Sequence, residues 1–286
     1  IAYWSDASGE YQLVIEAQDG ISKPRTLAVP NPGHAYNVSW SPDSKKILYM
    51  DTNLRIWVAD VATGKSKQVG RDPWMVPQRT VFPVWSPDSR WVAYAAHLNS
   101  LYRAVYVSDV ETGESHAVSD GLADAMYPAF DASGKYLWFF ASTDFGLRSQ
   151  WLDMSGYDHE EDFGLYVAVL RKGEASPFLP ESDEDGGIGG DKSAAASADA
   201  AKGKPGAAAT AAKAGEGAAP VVNTTRIDFD GLSERIVSVP GVPERQYAAL
   251  KAGTAGTVYY LETAAGTPPG GGATLQRYKL SERKST

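Results

Sequence analysis

The side chains best suited to acid–base work near neutral pH are four histidines, His34, His97, His116 and His159, and they are scattered with no metal-ligand spacing. His34 and His116 fall at edges of strand-like runs or in loops, which predicts surface positions. His97 ends the apolar run Ala95-Ala96 and is the histidine best placed for a role, at a strand end where a loop begins. Nucleophilic catalysis needs an activated serine or cysteine beside a base. The sequence has no cysteine and no Gly-x-Ser-x-Gly elbow. Ser41 and Ser86 each precede Pro-Asp in a recurring turn, which assigns them to structure. The segment Trp151–Asp162 brings together Asp153, Asp158, His159, Glu160, Glu161 and Asp162. It lacks the spacing of a calcium-binding EF-hand loop, and an exposed acidic insertion is the simpler reading. Its aromatic residues Phe145, Trp151, Tyr157 and Phe163 fit two roles equally, docking a neighbouring domain or packing on their own sheet. No residue is assigned a catalytic, cofactor-binding or metal-binding role, and no cofactor is expected.

The elements that would position these residues form a repeat. The anchors Trp40, Trp85 and Phe130 are 45 residues apart, and each leads into a tight turn: Ser41-Pro42-Asp43-Ser44, Ser86-Pro87-Asp88-Ser89 and Asp131-Ala132-Ser133-Gly134. Proline presets φ in such turns, and aspartate bonds the backbone two residues on. Apolar runs follow at 46–50, 91–95 and 136–140, rich in aromatic and β-branched side chains. Third runs at 55–60 and 104–109 end in Ala62-Thr63-Gly64 and Glu111-Thr112-Gly113, where glycine supplies the positive φ of a hairpin. Four short strands in about 45 residues is the period of a β-propeller blade. The fold class is therefore all-β, a propeller of four-stranded antiparallel blades, with His97 at a position where loops can face the central channel.

Blade by blade, residues 1–29 read as the last three strands of one blade, and 34–70 and 79–119 as two regular blades. Residues 122–179 read as a longer one with an insertion near 144–163, and 224–240 and 246–280 as further blade strands. This divides the chain into propeller blades over 1–180, an insertion over 181–222, and more blade strands over 223–286. The insertion opens on Glu181, Asp183, Glu184 and Asp185 and continues as an Ala/Gly/Lys run, a composition expected to be disordered. The remaining residues suffice for about five blades. A ring needs closure to hide its sheet edges, so the chain is expected to be an incomplete propeller that continues in both directions.

Composition sets wider limits. The formal charge is −8 with no Lys/Arg run, which argues against a nucleic-acid partner or an anionic membrane surface. No stretch approaches 18 consecutive apolar residues, so no membrane span is expected. The first residue is Ile1 and already belongs to a strand-like run, so a signal peptide, if the protein has one, would lie outside this sequence.

Ser119–Phe130 with Gly134-Lys135-Tyr136-Leu137, and Leu165–Leu170 followed by Ser176–Ser182, carry a resemblance to the seven-bladed propeller of tricorn-like proteases. Its best marker is Ile227-Asp228-Phe229-Asp230-Gly231-Leu232-Ser233-Glu234-Arg235-Ile236, since members carry a similar I-D-x-D-G segment after an acidic insertion. The resemblance implies a parent serine peptidase of the tail-specific type (peptidase family S41), whose catalytic residues lie in downstream domains. No position in 1–286 matches them. It also implies peptide substrates, PDZ and protease domains as partners within the same chain, and a homo-oligomer. The compartment stays open: cytoplasmic for some members, periplasmic or secreted for others. Two alternatives stand beside it, a TolB-like propeller acting as an interaction scaffold and the propeller of a prolyl-oligopeptidase-type enzyme.

Overall fold

A computed structural model describes residues 1–30, 35–74, 81–144, 161–179, 223–264 and 271–286. Its strands form five antiparallel sheets in chain order. Blade one has three strands, β1 (Ala2–Ser5), β2 (Gln12–Ile15) and β3 (Arg25–Leu27). Blade two holds β4 (Ala35–Trp40), β5 (Lys46–Asp51), β6 (Arg55–Asp60) and β7 (Ser66–Arg71). Blade three holds β8 (Val84–Trp85), β9 (Trp91–His97), β10 (Arg103–Asp109) and β11 (Ser115–Ala117). Blade four holds β12 (Asp124–Phe130), β13 (Tyr136–Ser142), β14 (Gly164–Val169) and β15 (Ile236–Ser238). Blade five holds β16 (Gln246–Ala252), β17 (Thr257–Thr263), β18 (Ala273–Lys279) and β19 (Lys284–Ser285).

The β-propeller read from the 45-residue period is thus the observed fold. One pairing needed the coordinates: β15 is the fourth strand of blade four, bonded to β14 from beyond the 181–222 stretch. That stretch lies outside the described residues, as do His34, Phe145, Trp151, Asp153, Tyr157, Asp158, His159 and Glu160.

The core is divided into layers between successive blades. Side chains alternate along each strand, so Ile47 and Tyr49 pack towards Leu13 and Leu27 of blade one. Leu48 and Met50, the intervening residues, pack towards Val92 and Tyr94 of blade three. Leu137 and Phe139 likewise meet Val105 and Val107, while Trp138 and Phe140 meet Tyr247 and Tyr260. Both faces of the middle strands are buried, which is why β5, β9 and β13 read as nearly continuous apolar runs.

The recurring turns work as their sequence implies. Ser41 Oγ donates to Asp43 Oδ1 (2.6 Å) and accepts from Lys46 N (2.9 Å). Ser86 Oγ repeats this with Asp88 Oδ1 (2.6 Å) and Trp91 N (2.9 Å). These turns also join neighbours: Asp43 N donates to Ser89 Oγ (3.0 Å), and Gly256 N to Asp131 Oδ2 (2.8 Å). The first strands of blades two, four and five share a β-bulge whose residue has positive φ: Asn37 (54°), Tyr127 (53°) and Ala249 (55°).

Candidate functional site

Strand direction separates two rims. The turns between first and second strands, and between third and fourth, lie on one; we call it the turn rim. The loops between second and third strands, and the links from blade to blade, lie on the other, the loop rim. Ser41 and Ser86 sit on the turn rim, buried and bonded within their turns.

The loop rim carries buried polar side chains that bond one another. Asp51 accepts from Arg55 Nε (2.8 Å) and Trp57 Nε1 (2.9 Å). His97, at the end of β9, is buried, and its Nδ1 lies 2.9 Å from Asp72 Oδ2 on the link from blade two to blade three. This pair crosses a blade boundary and fixes the His97 ring. Arg103, at the start of β10, makes a fork on Asp124 at the start of β12: Nε lies 2.8 Å from Oδ1 and NH2 contacts Oδ2. Its backbone N donates to the same carboxylate at 2.7 Å.

Glu161 joins this group. Burial, with the neighbouring Asp124 carboxylate, pushes its pKa up to about 7, while Arg103 works the other way. Its Oε1 is buried with no hydrogen-bond partner among the described residues. Sequence reasoning placed Glu161 in an exposed acidic run, but here it is half-buried against blades three and four. Phe163, for which docking a neighbour and packing on its own blade were equal readings, is 6% exposed in the core between blades four and five, and its backbone bridges to Arg245. It packs on its own blade. His116 differs from its expected surface position as well. It is half-buried, with its ring stacked on Phe229 at 4.0 Å, because the chain returning at 223–232 covers it.

Charge is divided unequally between the rims. By strand direction the loop rim collects Asp6 and Glu10; Asp51 and Asp72; Asp120 and Asp124; Asp144, Glu161 and Asp162; and Glu244 and Glu262. Among the described residues, four cations, Arg55, Arg71, Arg103 and Arg245, stand against these eleven carboxylates, a formal excess of seven negative charges, with Asp51, Asp72 and Asp124 buried. The remaining fourteen described carboxylates and seventeen Lys/Arg side chains belong to the turn rim, a formal excess of three positive charges. Among the described residues, two large apolar side chains are exposed on blade-to-blade links of the loop rim, Trp74 (54%) and Leu122 (78%). Trp74 is held in place by its backbone N, which donates to Asp72 Oδ1 at 3.1 Å. The sequence listed these acids in scattered positions, and only strand direction gathers them on one side.

Comparison with known proteins fits this architecture. The family profile of the tricorn protease second beta propeller domain matches residues 1–286. The tricorn protease of Thermoplasma volcanium is 29% identical over 159 residues, which cover 51% of this chain and 14% of that protein. Tricorn protease homolog 1 of Streptomyces coelicolor is 23% identical over 303 residues, 99% of this chain and 25% of that protein. The chain thus spans a quarter or less of the length of these relatives. Among solved structures, a crystal structure of the tricorn protease superposes with a TM-score of 0.67 at 18% identity, covering 100% of this chain and 25% of that one. TolB from Acinetobacter baumannii gives a TM-score of 0.50 at 14% identity, covering 98% of this chain and 50% of that one. These two likenesses are of fold. Since the family profile extends over every residue, this chain belongs to the family of tricorn protease second β-propeller domains.

Proposed function

We propose that this chain is a non-catalytic propeller segment of a tricorn-like serine protease, and that it guides and gates peptide substrates on their way to an active site elsewhere in the larger protein. The observation that carries this reading is the loop rim, whose described residues hold an excess of carboxylates, Asp6, Glu10, Asp120 and Glu244 exposed among them, beside exposed Trp74 and Leu122. A surface of one sign raises the local concentration of oppositely charged chains and speeds their encounter. Exposed apolar side chains on fixed links add contact with any extended segment that passes. Together they favour unfolded, cationic peptides. The buried pairs beneath, His97 with Asp72 and Arg103 with Asp124, keep the links in register without taking part in bond breaking. The PDZ and protease domains of the parent chain, and further copies of it, are the partners such a segment would serve.

The experiment is a titration of the 286-residue chain with a labelled Lys-rich peptide and a Glu-rich peptide of equal length, followed by fluorescence anisotropy. The Lys-rich peptide is expected to bind more tightly, with affinity falling as salt rises. Equal binding of both, or binding that salt leaves unchanged, contradicts the reading. Peptide hydrolysis by this chain alone would contradict it as well.

A further inference from the structure

In blades two, three and five the second strand is tied to the fourth by a pair of hydroxyls. Tyr49 OH donates to Ser66 Oγ (3.2 Å), Tyr94 OH lies 2.7 Å from Ser115 Oγ, and Tyr260 OH lies 2.7 Å from Ser285 Oγ. The register is the same each time: the serine pairs with the third-strand residue two positions beyond the one opposite the tyrosine. Applied to blade four, that register selects Phe139, opposite Tyr166, and Ile236, opposite Ala168. Neither carries a hydroxyl. Blade four is also the blade whose fourth strand returns from beyond residue 222.

The segment that precedes β15 is bonded in another way. Arg235 Nε donates to Val169 O of β14 (3.1 Å), NH1 donates to Asp230 O and Gly231 O (both 3.0 Å), and NH2 contacts Asp228 O. Asp228 N donates to Leu170 O (2.9 Å), and Asp228 Oδ2 accepts from Lys172 N (2.9 Å). The same segment reaches blade three. Thr225 N donates to Asp88 Oδ2 (2.8 Å), Trp91 Nε1 donates to Thr225 O (3.1 Å), and Phe229 lies on His116.

We infer that residues 223–235 form a strap that staples blade four to blade three, and that the Arg235 guanidinium, by holding the start of β15 to β14, restrains the fourth strand of a blade that lacks the hydroxyl link from second strand to fourth. A guanidinium has five donors in a planar fork and no acceptor. Filling four of its contacts with carbonyls fixes the chain immediately before Ile236, where β15 begins. The I-D-F-D-G-L-S-E-R run is on this account a structural fastening. Its Asp228 and Arg235 bind backbone, while Gly231 (φ 65°) supplies the turn between them.

The test is hydrogen exchange on the whole chain, comparing the wild type with Arg235→Met and Arg235→Lys. In Arg235→Met the β15 amides are expected to exchange about tenfold faster or more, with β5 and β6 unchanged. Arg235→Lys, a point donor with no fork, is expected to show the same loss in smaller measure. Adding Phe139→Tyr and Ile236→Ser to Arg235→Met is expected to restore part of the protection. Unchanged β15 exchange in Arg235→Met, or a loss spread evenly over β5 and β6, would overturn the inference. A triple variant that regains no protection would overturn the connection drawn between this restraint and the missing hydroxyl link.

Discussion

The hydroxyl of Tyr94 lies 2.7 Å from Ser115 Oγ, tying the second strand of blade three to its fourth. Replacing Tyr94 with Phe removes this bond and leaves the ring packed between blades two and three. A net loss of about 0.5–1.5 kcal/mol is expected, from urea unfolding with an unchanged slope.

Tyr94 also marks how closely two blades approach. A Cβ at Gly70, on the outer strand of blade two, would sit 2.7 Å from Tyr94 Cζ and 3.0 Å from Ile56 Cδ1. Gly70→Ala therefore forces the aromatic ring of the next blade to move, at a cost of about 1–3 kcal/mol. Thermal unfolding of this variant should show a lower midpoint, whereas Gly70→Ala combined with Tyr94→Leu should regain part of it.

Asp124 is fully buried and neutralises Arg103, whose side chain is 11% exposed. Asp124→Asn leaves a buried guanidinium without its counter-charge and is expected to cost about 3–5 kcal/mol. The urea midpoint measures this. A loss no larger than that of a surface pair such as Lys279–Glu282 would contradict the burial of this pair.

The raised pKa of Glu161 gives stability a pH dependence of definite sign. Burial and Asp124 favour its neutral form in the folded chain, so the fold holds this proton more tightly than the unfolded chain does. The stabilisation is complete below the ordinary carboxylate pKa and is lost as pH rises through about 7. Between mildly acidic and mildly alkaline buffer the urea midpoint of the wild type is expected to fall. In Glu161→Gln, neutral at every pH, that slope should flatten. Equal slopes would show that Glu161 titrates normally.

Much of this fold was legible because each blade repeats the same local chemistry. Ser-Pro-Asp and Thr-Gly turns are short-range signals, and β5, β9 and β13 alternate towards apolar neighbours on both faces. Pairing across a long gap is not a local signal, so nothing in Ile236-Val237-Ser238 announced that its partner is Tyr166-Val167-Ala168. The candidate site was less visible still. His97 and Asp72 are 25 residues apart, as are two ends of a loop in any protein, and their contact depends on how one blade is set against the next. Glu161 looks exposed in an acidic run and Phe163 fits docking as well as packing, yet the start of β14 draws both inward. The charge difference between the rims appears only after each strand has been given a direction.

The most direct measurement of the guiding role uses the full-length protein and one basic peptide sequence in a short and a long form. The quantity is kcat/KM for each, in the wild type and in Trp74→Ser with Leu122→Ser. A loop rim that receives extended substrate predicts a several-fold fall for the long peptide and little change for the short one. Equal effects on both peptides, or none on either, would contradict it.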